Sequence, residues 1–175
     1  MFNKMIAKIL PHMPQKFVWI FSKRYVAGHT LDDAIKACKE LNAQGIKITL
    51  DVLGEFIKTI EEAEANKNEY LEVIETAQKN NIDGNYSLKP TMFGLLINKD
   101  VCYKYIREIV AKAASYNNFM RVDMEDTQCT DMEIEMYRKL KKEFPENVGL
   151  VVQAYLKRTL NDLENMMDMQ TEEVP

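Results

Sequence analysis

Ile46-Lys47-Ile48-Thr49-Leu50-Asp51-Val52-Leu53 alternates apolar and polar residues and is closed by Gly54. That alternation marks a strand with one face turned to a core. An acidic stretch of helical periodicity follows at about 57–80, with Tyr70, Leu71, Ile74 and Ala77 on its inner face, until Asn81 and Gly84 break it. Tyr86-Ser87-Leu88-Lys89 then reads as a second strand, stopped by Pro90. A strand, a crossover helix and another strand form the repeating unit of a parallel sheet.

The same alternation extends in both directions. Upstream, Tyr25-Val26-Ala27 is a short apolar strand ended by Gly28. Thr30 and Asp33 have capping-box spacing before a helix that puts Leu31, Ala34, Ile35, Cys38 and Leu41 on one face, and Gly45 suits its stop. Downstream, Val101, Tyr105, Ile106, Ile109, Val110 and Ala113 share a helix face, and Phe119 to Met124 reads as a strand. Thr130 and Glu133 predict another capping box, with Met136, Tyr137, Leu140 and Phe144 on the helix it opens. Val148 to Tyr155 is apolar almost throughout, as a strand covered on both faces would be. Thr159 and Asp162 predict a last box, before Leu160, Leu163, Met166 and Met167.

Five β-then-α units in a row predict a parallel sheet. A doubly wound open sheet usually carries a glycine-rich phosphate loop after its first strand, whereas Gly28 and Gly45 stand alone. The better expectation is a (β/α)8 barrel, which takes about 250 residues when complete. The 175 residues would supply five units of the eight, as an incomplete barrel over 25–167. The strands at 25–27 and 148–155 would be open edges, inviting homo-oligomers, and Ile48, Leu88, Val122 and Val151 would face the barrel centre. Residues 168–175 are a polar tail without pattern.

Hydrophobic residues make up 46% of the chain and charged residues 29%, a globular balance. The net charge of -4 argues against a nucleic-acid partner. Cys38, Cys102 and Cys129 are scattered and odd in number, so they read as reduced thiols of a cytoplasmic or organellar matrix protein. No apolar run approaches the roughly 20 residues of a membrane span. Residues 1–24 differ from the rest. Lys4, Lys8, Lys16, Lys23 and Arg24 precede the first acid, Asp32, and alternate with apolar side chains around Pro11 and Pro14. This basic amphipathic arm reads first as a helix packed on the domain and second as a peripheral contact with the inner membrane, ahead of a targeting peptide.

In a barrel the active site lies at the C-terminal ends of the strands. That rule selects Asp51 and Glu55, then Lys89, then Asp123, Met124, Glu125 and Asp126, then Gln153, Tyr155, Lys157 and Arg158. Each has a plainer reading. Lys89 could face solvent, Asp123 and Glu125 could cap a helix or pair with Arg121, and His12 and His29 read as ordinary surface or loop histidines. Gln153 is different, because an amide inside an apolar run needs hydrogen-bond partners. Three chemistries fit these residues: a flavin or other cofactor enzyme with Lys89 anchoring an anionic substrate, an aldolase with a Schiff base on Lys89, or a Mg2+ enzyme with Asp123 and Glu125 as ligands.

Five stretches, in order, resemble the proline dehydrogenase family: Arg24-Tyr-Val-Ala-Gly-His-Thr-Leu31, Thr49-Leu-Asp-Val-Leu-Gly-Glu55, Ser87-Leu-Lys89, Arg121-Val-Asp-Met-Glu-Asp126 and Val151-Val-Gln-Ala-Tyr-Leu-Lys-Arg158. The resemblance implies FAD-dependent oxidation of L-proline to 1-pyrroline-5-carboxylate, with electrons passed to a membrane quinone. By the same resemblance Lys89 is similar to the lysine that contacts the substrate carboxylate, and Asp123 to the active-site aspartate that holds that lysine. Met124 and Gln153 are similar to flavin-contacting positions. The family also carries an arginine near the flavin N5 on its sixth strand and a carboxylate-binding arginine pair on its eighth helix. The pattern here stops at the fifth strand, so the chain alone is expected to be inactive. The alternatives are a non-catalytic, self-associating half-barrel and a Schiff-base lyase.

Overall fold

Ile48–Asp51 (β1), Gly84–Leu88 (β2), Met120–Val122 (β3) and Val148–Leu150 (β4) form one parallel sheet in that order. The computed structural model describes residues 14, 26–28 and 30–167. The helices are Leu31–Asn42 (α1), Ile60–Lys79 (α2), Lys99–Ala114 (α3), Thr130–Glu143 (α4) and Thr159–Glu164 (α5), with a 3-10 turn at Pro90–Phe93. The capping box of Thr30 and Asp33 forms as its spacing predicts. Gly45, Asn81 and Asn117 adopt positive φ just beyond α1, α2 and α3, the left-handed stop that glycine and asparagine tolerate best.

The register explains the two faces of the sheet. Leu50, Tyr86, Met120 and Val148 lie side by side, as do Leu88, Val122 and Leu150. They pack with Tyr70, Ile74 and Ala77 of α2, Ile106, Ile109 and Val110 of α3, and Met136 and Leu140 of α4 in one hydrophobic core. Side chains alternate across a strand, so Thr49, Asp51, Asn85, Ser87 and Arg121 occupy the opposite face. Helices over one face and polar groups on the other match a segment of a (β/α) barrel. A doubly wound sheet would have helices on both faces.

This register corrects the expected barrel-facing layer. Leu88 and Val122 are fully buried in the core beneath the helices, and the register puts Ile48 on that same face. Val151, out of phase with Leu150, lies on the opposite face and lines the cleft there, in a layer that is otherwise mostly polar. The strand expected at 25–27 does not form at Val26 and Ala27, and Tyr25 lies outside the described residues. There the chain is already turning into α1: a Cβ on Gly28 would sit 2.1 Å from the Asp33 side chain. Four βα units, not five, are present among the described residues.

Other strands are shorter than the pattern predicts. Beyond β1, the Val52 N–H leaves the ladder for the Tyr70 hydroxyl, and Leu53 is exposed. Beyond β4, one more ladder bond runs from the Val151 N–H to the Val122 carbonyl before the chain turns away. Two capping boxes also fail. Cys129 and Arg158 occupy the cap positions of α4 and α5 without side-chain bonds to the helix ends, and both Glu133 and Asp162 are buried against other partners. The face predicted for α5 is only partly used, since Met166 is buried and Leu160, Leu163 and Met167 are exposed. The basic arm, apart from Pro14, the polar tail and both histidines lie outside the described residues. No described helix is long and apolar enough to cross a membrane.

Gly84 does more than end a helix. It opens β2 opposite Ile48, and a Cβ there would lie 2.5 Å from Ile48 Cγ1 and 2.7 Å from the Ile48 carbonyl oxygen. Gly84→Ala is expected to force β1 and β2 apart, with a loss of about 1–3 kcal/mol typical of overpacking. A urea midpoint unchanged from that of the wild type would show that the strands do not approach this closely.

Candidate active site

Lys89, immediately after β2, extends over the polar face of the sheet. Its Nζ lies 2.5 Å from Asp51 Oδ2 and 3.8 Å from Asp123 Oδ2. All three side chains are 20–27% exposed, so the cluster is partly shielded and still reachable. Asp123 Oδ1 accepts from Ser87 Oγ at 2.5 Å. The Tyr70 hydroxyl lies 3.0 Å from Asp51 Oδ1 and 2.8 Å from the Ser87 carbonyl oxygen. Strands β1, β2 and β3 and helix α2 thus each contribute to one cation–carboxylate cluster.

Partial burial acts to lower the Lys89 pKa. The Asp51 hydrogen bond, together with the charges of Asp51, Asp123 and Glu55, outweighs that effect and raises it. The ammonium is therefore held protonated, as an electrostatic anchor requires. A Schiff-base nucleophile requires the neutral amine. Burial, reinforced by the Asp51 charge, pushes the Tyr70 phenol far up, so it serves as a neutral hydrogen-bonding group.

The strand-end rule selects Lys89 and Asp123, and the family resemblance implies that Asp123 holds the lysine. The structure adds Asp51 as the nearer partner. The signal was present in the alternation of β1, which places Asp51 opposite Leu50. Helical spacing puts Tyr70 on the core face, and its ring is buried, packed edge-on to Phe93 at 5.4 Å. Only the fold shows that its hydroxyl reaches the strand ends.

A cleft of about 420 Å³ opens beside the cluster, lined by Phe56, Lys89, Asp123, Met124, Gln153 and Tyr155, among others. Small-molecule sites commonly span about 300–1,000 Å³. Gln153 Nε2 donates to the carbonyls of Met124 at 2.7 Å and Glu125 at 3.0 Å. These bonds satisfy the amide that the sequence flagged. With Nε2 engaged in this way, Oε1 is the atom left to accept from a ligand. Met124 is buried and lines the cleft. Arg121 pairs with Asn85 rather than with Asp123 or Glu125. Asp123 and Glu125 turn to Ser87 and Thr91 respectively, and among the described residues no group of three or more candidate ligands could hold a metal ion.

The cleft suits one end of a flavin better than the other. Buried Met124 offers a surface for a flat ring, and Gln153 Oε1 can accept from a ring N–H. Lys89 is the one cation among the described residues lining the cleft, so they supply nothing further for the pyrophosphate.

A family model described as proline dehydrogenase matches residues 34–174. Proline dehydrogenase 1 of Bacillus subtilis subsp. natto is 34% identical over 148 residues, covering 85% of this chain and 49% of that protein. Proline dehydrogenase of Deinococcus radiodurans is 35% identical over 156 residues, covering 87% of this chain and 50% of that protein. The chain spans about half the length of these curated relatives. A crystal structure of proline utilization A (PutA) from Bdellovibrio bacteriovorus inactivated by N-propargylglycine shares the fold, with a TM-score of 0.80 at 22% identity over 96% of this chain and 20% of that one. Motif order, strand-end geometry and the family match converge: the chain belongs to the proline dehydrogenase family.

Proposed function

We propose that this site takes part in the FAD-dependent oxidation of L-proline to 1-pyrroline-5-carboxylate, with electrons passed on to a membrane quinone. The observation that carries the reading is Lys89, held protonated between Asp51 and Asp123 at the mouth of the cleft. A carboxylate substrate needs a cation, and a partly desolvated cation needs fixed counter-charges. Lys89 binds the proline carboxylate. Asp51 and Asp123 orient the ammonium, and Tyr70 and Ser87 orient the two aspartates. Gln153 fixes the Met124 and Glu125 carbonyls and presents Oε1 to the flavin ring. Bound FAD supplies the two-electron acceptor.

A barrel closes by pairing its last strand with its first. β1 and β4 are the outer strands of the described sheet. The 175 residues alone are therefore proposed to hold flavin weakly and not to turn over proline. A specific observation favours self-association as the second reading: Leu160, Leu163 and Met167 are exposed beyond the β4 edge.

The test compares the chain alone with the chain co-expressed with the part of Bacillus subtilis proline dehydrogenase 1 that it does not match. Anaerobic L-proline is expected to bleach the flavin absorbance near 450 nm in the pair and not in the chain alone. Turnover by the chain alone would remove the requirement for closure. A flavin-loaded pair that proline does not bleach would overturn the proposed activity.

A further inference from the structure

Every polar group of Glu125 is committed to a different neighbour. Its carboxylate accepts from the Thr91 hydroxyl at 2.6 Å and from the Thr91 N–H at 2.8 Å. Its own N–H donates to the Glu133 carboxylate at 3.1 and 3.2 Å, and its carbonyl accepts from Gln153. Thr91 Oγ1 in turn accepts from the Phe56 N–H at 3.2 Å. Thr91 is 2% exposed and Glu133 fully buried. The segments that follow β1, β2, β3 and β4 are thus tied through one node.

We propose that the Thr91–Glu125 pair is the positioning device for Lys89, locking the ends of β1, β2 and β3 so that the Lys89 ammonium stands between Asp51 and Asp123. Thr91 lies two residues beyond Lys89, and Glu125 two beyond Asp123, so their bond fixes the root of each side chain. Lysine carries its charge on a flexible four-carbon stem, and a mobile root would spread that charge over many positions. The backbone at Phe56 supports the assignment. Its φ of 49° lies in the left-handed region that a bulky side chain rarely adopts. Such a conformation persists where the surroundings hold it, and the Phe56 N–H bond to Thr91 is one such restraint. The proposal rests on the substrate-anchoring role of Lys89 only for its consequence in binding.

Thr91→Val removes the hydroxyl and leaves the Glu125 charge in place, and Thr91→Ser restores the hydroxyl. Two readouts are needed: the Lys89 ammonium pKa by side-chain NMR, and the affinity for L-proline against L-prolinamide, which lacks the carboxylate. Thr91→Val is expected to return the Lys89 pKa toward that of ordinary lysine and to weaken L-proline binding about three- to tenfold, the cost of one hydrogen bond. Thr91→Ser is expected to rescue both. A lower melting temperature with an unchanged Lys89 pKa would make Thr91 merely structural and overturn the proposal. The L-proline measurements use the chain paired with the part of Bacillus subtilis proline dehydrogenase 1 that it does not match; if that wild-type pair does not bind L-proline at all, the substrate reading fails, while the lysine pKa still decides the positioning role. Should Thr91→Val not fold, hydrogen exchange in the wild type decides: the Phe56 amide is expected to be protected together with that of Thr91, and free exchange at Phe56 would refute the link.

Discussion

In the chain paired with the part of Bacillus subtilis proline dehydrogenase 1 that it does not match, Lys89→Ala is expected to erase the preference for L-proline over L-prolinamide. Removing the ammonium takes away a charge-assisted bond worth roughly 1.5–3 kcal/mol. It also leaves Asp51 and Asp123 on the same face without their shared cation. Two carboxylates facing an incoming carboxylate add repulsion to the lost attraction. The expected loss of L-proline affinity is therefore at least tenfold and approaches about a hundredfold, since each 1.4 kcal/mol is a factor of ten. L-Prolinamide has no carboxylate to lose, and its binding should change little. The measurement is a pair of titrations followed by side-chain NMR. An L-proline preference that survives the substitution would show that the carboxylate is held elsewhere.

The second large effect concerns stability. Glu133 is fully buried on α4, and burial pushes its pKa from 4.5 up to about 7. The charges of Glu125, Asp126 and Asp123 push in the same direction, and only the hydrogen bond from the Glu125 N–H opposes them. The folded chain therefore binds this proton more tightly than the unfolded chain does. Its contribution to stability is fully present below about pH 4.5 and is lost as the pH rises through about 7. At roughly 1.4 kcal/mol per pH unit, the loss across that window is on the order of 3 kcal/mol. Glu133→Gln keeps an oxygen for the Glu125 N–H and cannot ionise. Its stability relative to the wild type is expected to rise by that amount between pH 4.5 and 8. Urea midpoints at several pH values measure the difference, and parallel profiles for the two proteins would refute it. Glu125 is also shifted upward, chiefly by burial, so the variant should keep part of the wild-type slope.

The contrast between Lys89 and Glu133 shows what the sequence discloses. Lys89 was legible because a strand ends there, Pro90 follows, and barrel sites collect at strand ends. The helix-facing core was legible for the same kind of reason, since Ile74, Ile106 and Leu140 recur at helical spacing. Glu133 was misread because Thr-x-x-Glu is a capping pattern, while α4 begins at Thr130 itself. That start puts Glu133 a turn inside the helix, where it meets the Glu125 N–H at the end of β3. Asp51 and Tyr70 could not be linked by pattern at all, because a crossover helix must fold back before the tyrosine hydroxyl reaches the strand. The orientation of the sheet was misjudged because Leu88 and Val122 suit either side of a parallel strand. Only the register, with Ser87 beside Asp51 and Arg121, decides which side takes the helices.

The polar side of the sheet also bears on how such a chain emerges from the ribosome. Thr49, Asn85 and Arg121 bond to one another across β1, β2 and β3, and none of them needs an apolar partner. Water can therefore wet that side while synthesis continues. Each new βα unit buries its oily residues under helices already made, so a growing barrel wall need not wait for its opposite wall before gaining native packing. Chains released from the ribosome at Met167 should then show protease resistance in 60–147 without any later segment, with cleavage confined to the flanks that carry the outer strands β1 and β4.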